Sequence, residues 1–211
     1  MRALFSVAAL AGLALLTAAA LRSGERTPAP VAAAPSADSA RITYPDGAHP
    51  LIALPDGRHA RIHSLLDVRR RMHFGDFEWN EENVPAGPVW VRVDLARQML
   101  SVFRGGHEIG TAVILYGTDG HPTPLGAFPV LEKDKDYWSR SYNAPMRYML
   151  RLTADGVAIH ASNVERGYAT HGCVGVPPGF ARRLFETVGK GDLVVIAGNP
   201  AETDAAAQAV S

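Results

Sequence analysis

The chemistry-bearing residues of this chain crowd into one short stretch. The single cysteine, Cys173, lies two residues after His171 and thirteen after His160. A thiol is a strong nucleophile only as thiolate, and a neighbouring imidazole can take its proton. Both histidines are available for that task. In an extended chain His171, at i−2, shares a face with Cys173. His160 ends an expected strand and can point across the site. Gly172 lets the backbone approach a substrate closely, and nearby N–H groups could hold an oxyanion. A helix expected from Pro178 would bring its positive end towards the thiolate.

Two other readings of these residues exist. A solitary cysteine is often a small buried hydrophobe. His160, His171 and Cys173 could also bind zinc, but no fourth ligand is evident and the spacing fits no finger. The expectation is therefore no metal and no organic cofactor, because thiol–imidazole acyl transfer is self-sufficient.

The elements that must position these groups are mostly strands. Val89, Val91, Val93 and Leu95 alternate with Trp90, Arg92 and Asp94, the pattern of a half-buried strand. Met99 to Phe103 is a second run, Arg104-Gly105-Gly106 a hairpin turn, and Ile109 to Tyr116 a returning strand. Phe128 to Leu131, Tyr148 to Leu152, Val157 to His160 and Leu193 to Ile196 read as further strands. One helix is expected over Pro178–Val188, with Phe180, Leu184, Phe185 and Val188 on its buried face. Many short strands with one or two short helices predict a mainly β, sandwich-like domain over residues 89–197.

Residues 41–88 read as a small accessory segment. Pro55-Asp56-Gly57 is a turn signal. Ser64, with Asp67 three residues on, resembles a capping box, so a helix is expected there, with Leu65, Leu66, Val68 and Met72 as its apolar positions. Arg69-Arg70-Arg71 would lie on its solvated face, with Asp67 and Arg71 paired at i,i+4. Phe74, Phe77 and Trp79 are expected to pack this segment on its neighbour.

The N-terminal forty residues stand apart. Met1-Arg2 precedes an almost purely apolar run from Ala3 to Leu21, which reads as a signal peptide or an N-terminal membrane anchor. Residues 22–40, rich in Ala, Pro and Ser, read as a linker, and residues 198–211 as a flexible tail. Over all 211 residues, 21 basic side chains balance 21 acidic ones. That neutrality excludes the bulk charge of a nucleic-acid binder. A 47% hydrophobic content excludes a wholly disordered chain. One cysteine excludes an intrachain disulfide framework. In an exported, oxidising compartment an unpaired thiol is a liability unless it pairs between chains or is chemically used.

Taken together, the motifs resemble one family. Thr170-His171-Gly172-Cys173-Val174 is similar to the [Ser/Thr]-His-Gly-Cys-[Ile/Val] signature of the L,D-transpeptidase catalytic domain family. Ile159-His160 resembles its upstream Ile-His. Thr123-Pro124-Leu125-Gly126-Ala127-Phe128 resembles its Thr-Pro-x-Gly-x-Phe segment, and Val91 to Phe103, with Gln98 and Leu100, its opening hairpin. The resemblance implies an exported bacterial enzyme of mostly β fold that crosslinks peptidoglycan stem peptides. Its cysteine attacks the carbonyl before a terminal D-alanine, a thioester forms, and an acceptor amine takes the acyl group. It implies Cys173 as nucleophile and His160 as general base. His171 would shape the site, and Thr170, Gly172 and Val174 would be substrate-binding or oxyanion residues. The implied partners are a donor tetrapeptide and an acceptor amine, in the periplasm or cell envelope, with inner-membrane anchoring and a monomeric state as further expectations.

Three positions depart from the family pattern. Gly175 stands where an Arg is common, and Arg151, Arg182 and Arg183 are the alternatives considered for its role. Ala161 replaces a frequent Gly, and the loop from His160 to Thr170 is short. Hydrolysis by the same acyl-enzyme would give a carboxypeptidase or endopeptidase. The altered Gly175 also motivates a non-catalytic wall-binding module. The polar segment 133–143 carries Tyr137, Trp138 and Tyr142 as candidate lid residues.

Overall fold

The computed structural model describes residues 41–54 and 59–198. The expected signal or anchor, the linker, the Pro55-Asp56-Gly57 turn and nearly all of the tail lie outside the described residues. Five short strands come first: β1 (Arg41–Thr43), β2 (Leu51–Ala53), β3 (His59–Arg61), β4 (Ser64–Leu66) and β5 (Phe77–Trp79). The meander β6 (Val89–Asp94), β7 (Met99–Arg104) and β8 (His107–Val113) follows. Then come β9 (Gly126–Pro129), β10 (Glu132–Asp134), β11 (Trp138–Ser139), β12 (Ala144–Pro145), β13 (Met149–Arg151), β14 (Ala158–Ala161) and β15 (Val174–Val176). The helix α1 (Pro178–Thr187) and strand β16 (Leu193–Ala197) end the series.

The large sheet runs β1-β4-β8-β7-β6-β16-β9, with β5 also paired to β8. A second sheet runs β10-β13-β14-β15. The core joins Val91, Val93, Leu100, Val102 and Ile109 of the large sheet to Leu150, Ile159, Val174 and Val176 of the small one. Phe180 and Leu184 of α1 complete it. The fold is mainly β with a single short helix among the described residues, as the alternation of apolar residues implies.

The segment 41–88 differs from its expected form. Ser64–Leu66 is a strand, not a helix start: it pairs antiparallel with β1 and meets β8 at His107. Pairing with two distant strands overrides a local capping pattern. The pairing buries Ser64 and Leu66 and takes the Leu66 N–H to the Glu108 carboxylate at 2.9 Å. The arginines pair accordingly: Arg69 with Asp67 at 2.6 Å, and Arg70 with Asp76 at 2.6 Å and Glu78 at 2.9 Å.

The same segment covers the second face of the meander. Trp90 stacks on Phe103, ring centroids 4.4 Å apart, and both pack with Ile62, Tyr44, Ile52 and Leu65. The strand β6 is therefore buried on both sides rather than half-buried. Phe77 and Trp79 meet Phe180 of α1 edge-on, at 5.9 and 5.4 Å. That is the packing role expected of these two aromatics.

Candidate active site

The register of one strand pair builds the site. β14 and β15 run parallel, with Ile159 opposite Val174, His160 opposite Gly175 and Ala161 opposite Val176. Ile159 and Val174 both face the core. Side chains alternate along a strand, so His160 and Gly175 share the opposite face, and Cys173, one residue before β15, lines the same cavity as His160. Gly175 is held on its other side by two hydrogen bonds. The Leu115 N–H donates to the Gly175 carbonyl at 2.8 Å, and the Gly175 N–H to the Leu115 carbonyl at 2.9 Å.

His160 is oriented by its own strand. Its Nδ1 lies 2.8 Å from the Ala161 carbonyl oxygen. A carbonyl only accepts, so Nδ1 carries the hydrogen and Nε2 is left with a lone pair. Burial lowers the His160 pKa below 6.5, partly offset by that hydrogen bond. The ring is therefore neutral at neutral pH. Cys173 is 6% exposed. Burial raises its pKa above 9.0, against a lowering contribution from the Ala158 N–H. The Sγ lies 3.9 Å from the Gly156 carbonyl oxygen. At rest the site holds a neutral thiol and a neutral imidazole with a free acceptor.

The loop before Cys173 departs from the extended form expected of it. Gly172 has φ +100°, and the chain bends over residues 171–173. His171 is thereby carried to the rim, where its ring stacks on Tyr142 at 5.1 Å and meets His121 edge-on at 5.1 Å. Thr170 lines the site, but its Oγ1 donates to the Cys173 carbonyl. Its role is to close the loop, not to offer a proton outward. The Val174 side chain is fully buried in the core, so only its backbone can serve the site. Thr123 acts one layer back: its Oγ1 accepts the Gly117 N–H at 2.9 Å, and Gly117 bridges Thr170.

A cavity of about 840 Å³ opens over Cys173 and His160. Its lining includes Tyr142, Met146, Arg147, Ser162, His171 and Pro178 of α1. Of the three lid candidates, only Tyr142 lines it. Tyr137 packs into the small cluster that holds Cys173, Met146, Met149 and Ala158, with the Arg151 guanidinium over its ring at 5.5 Å. Trp138 is exposed and outside the lining. Sequence reasoning missed Arg147, Met146, His121 and Ser162. Only Ser162 had a signal, since it lies two residues after His160, just beyond the end of β14.

The YkuD L,D-transpeptidase catalytic domain matches residues 88–196, half of the chain. The chain belongs to this family. It is 28% identical over 121 residues to L,D-transpeptidase 1 of Mycobacterium tuberculosis strain H37Rv, covering 49% of this chain and 48% of that protein. The chain thus spans about half the length of the curated relatives it matches. Among solved structures, an L,D-transpeptidase from Stackebrandtia nassauensis is similar with TM-score 0.50 and 28% identity, over 55% of this chain and 58% of that one. An Enterococcus faecium L,D-transpeptidase bearing a cysteine-to-serine replacement gives TM-score 0.48 and 27% identity, over 53% and 50%.

Proposed function

We propose that this protein is a peptidoglycan L,D-transpeptidase that works through a Cys173 thioester. The observation that carries the reading is the His160 tautomer, held by the Ala161 carbonyl so that Nε2 is left as the acceptor, in a cavity that Cys173 also lines. As the Cys173 Sγ attacks the carbonyl preceding a terminal D-alanine, His160 Nε2 takes the thiol proton. The tetrahedral oxyanion is met by backbone N–H groups around Cys173. The C–N bond then breaks, the leaving amine takes the proton from His160, and D-alanine departs. An acceptor amine attacks the thioester and gives its proton to His160. The sulfur leaves and recovers that proton as the thiol.

The site works on an exported chain in the cell envelope, as a monomer, with the apolar run Ala3–Leu21 directing export or anchoring it to the inner membrane. Neither a metal nor a cofactor enters the scheme.

Incubation of the full chain with purified muropeptides tests the reading. Crosslinked dimers and free D-alanine are expected, Cys173→Ala abolishes both, and a carbapenem forms a covalent adduct at Cys173. Dimer formation that persists in Cys173→Ala overturns the proposal. Products consisting only of shortened stems assign the acyl-enzyme to water instead.

A further inference from the structure

One arginine of the active-site cavity has no assigned work. Among the described residues that line it, Arg147 is the one Lys or Arg, and no Asp or Glu lines it at all. Of the other three nearby arginines, Arg151 and Arg182 are paired elsewhere and Arg183 lies on α1 outside the cavity. Arg151 pairs with Glu132 at 2.9 Å and covers the Tyr137 ring, Arg182 pairs with Glu186 on the outer side of α1 at 3.4 Å, and none of Arg151, Arg182 and Arg183 lines the cavity. The position after the cysteine motif has no room for a replacement. A Cβ on Gly175 would stand 2.8 Å from Ser162 Cβ and 3.4 Å from Leu115 Cβ.

Arg147 is placed by its backbone and only loosely paired at its tip. The Ala161 N–H donates to the Arg147 carbonyl at 2.9 Å, one residue from the His160 ring. The flanking N–H groups are also fixed, Met146 to the Tyr137 carbonyl and Tyr148 to the Lys135 carbonyl, each at 2.9 Å. Tyr148 adopts φ +56°, a conformation that costs a bulky residue energy and is kept where surroundings impose it. The Arg147 side chain is 68% exposed, and its ion pair with Asp136, whose side chain is 71% exposed, is long at 3.8 Å. Such a pair contributes little and exchanges readily. A planar, five-donor cation at the mouth of a cavity that no Asp or Glu lines is suited to bidentate capture of a carboxylate.

We infer that Arg147 is the substrate anchor of this site, binding a carboxylate of the donor stem peptide from the β12–β13 turn. The inference rests on the function proposed above for the nature of the ligand. Stem peptides carry carboxylates at the terminal D-alanine and on side chains, and the chemistry of capture is the same for both.

The test measures binding apart from turnover. In the full chain carrying Cys173→Ala, a synthetic stem tetrapeptide with free carboxylates is titrated, alongside its C-terminal amide and a form amidated on its side chains. Arg147→Gln should weaken binding of the free-carboxylate peptide about tenfold or more, with Arg147→Lys recovering part of the loss. One of the two amidated peptides should be insensitive to the substitution, which identifies the carboxylate that is held. Unchanged thermal unfolding confirms that the fold is intact. Equal affinity in Cys173→Ala and Cys173→Ala/Arg147→Gln, or an equal loss for all three peptides, overturns the anchor, as does the absence of saturable binding. If the tetrapeptide binds in an Arg147-dependent way while the intact Cys173 chain makes no crosslinks, the anchor stands and the transpeptidase reading falls.

Discussion

His160 stands directly opposite Gly175 in the parallel pair β14–β15, and Gly175 presses against Ser162, two residues further along the His160 strand. The contact makes the absence of a side chain at residue 175 a packing requirement. Gly175→Ala would bring a Cβ to 2.8 Å from Ser162 Cβ, and overpacking of this kind costs about 1–3 kcal/mol. Urea unfolding should register that loss. Ser162→Gly in the same chain removes the opposing atoms and should restore most of it, so the two substitutions are strongly non-additive. Additive effects would show that the strand pair absorbs the methyl group elsewhere.

The resting protonation state gives a second prediction. Burial holds Cys173 above 9.0 and His160 below 6.5, so no thiolate–imidazolium pair forms without substrate. Alkylation of Cys173 by iodoacetamide should be slow at neutral pH and should rise only as pH passes 9.0. A fast plateau reaching into mildly acidic solution would demonstrate a resting ion pair instead. For stability the sign follows from the lowered His160 pKa. The unfolded chain binds the proton more readily, so the contribution is complete above 6.5 and is lost as pH falls from there towards the folded pKa. His160→Asn should flatten that fall, read from urea midpoints across the acidic range.

What the sequence disclosed follows the range of the forces involved. The meander β6–β7–β8 was legible because alternation and the Gly105-Gly106 turn are local, and α1 because Pro178 opens an amphipathic run. That Cys173 and His160 would meet at one cavity was legible because their motifs are short. Ser64 was misread because a capping pattern is local, whereas its strand is fixed by Thr43 and His107, far away in sequence. His171 was misplaced because the positive φ of Gly172 turns the chain between it and Cys173. Arg147 left no trace, since its place depends on a hydrogen bond from Ala161.

Ile62 offers a test of how far residues 41–66 belong to the core. It is 3% exposed and packs with Trp90 and Phe103 on the face of the meander away from the main core. Ile62→Ala removes buried methyl groups from a site where two stacked rings cannot easily collapse. The expected cost is about 2–5 kcal/mol, measured by urea unfolding. A cost below about 1 kcal/mol, the range of an exposed position, would mean that the cover over Trp90 is dispensable to the catalytic domain.

Tyr142 ties the outer hairpin to the cavity rim. The pair β11–β12 carries it, Asn143 beside it turns at φ +47°, and its ring lies on His171 with the planes 29° apart. Stacked ring pairs contribute about 0.5–1.5 kcal/mol, so Tyr142→Ala should raise KM for the donor peptide by up to about tenfold. Tyr142→Phe keeps the stack and should behave as the parent. Because Cys173 and His160 are set by β14 and β15 rather than by this hairpin, iodoacetamide alkylation of Cys173 should be unchanged in both variants. An altered alkylation rate in Tyr142→Ala would show that the stack also governs the thiol itself, and an unaltered KM would show that it holds nothing the substrate needs.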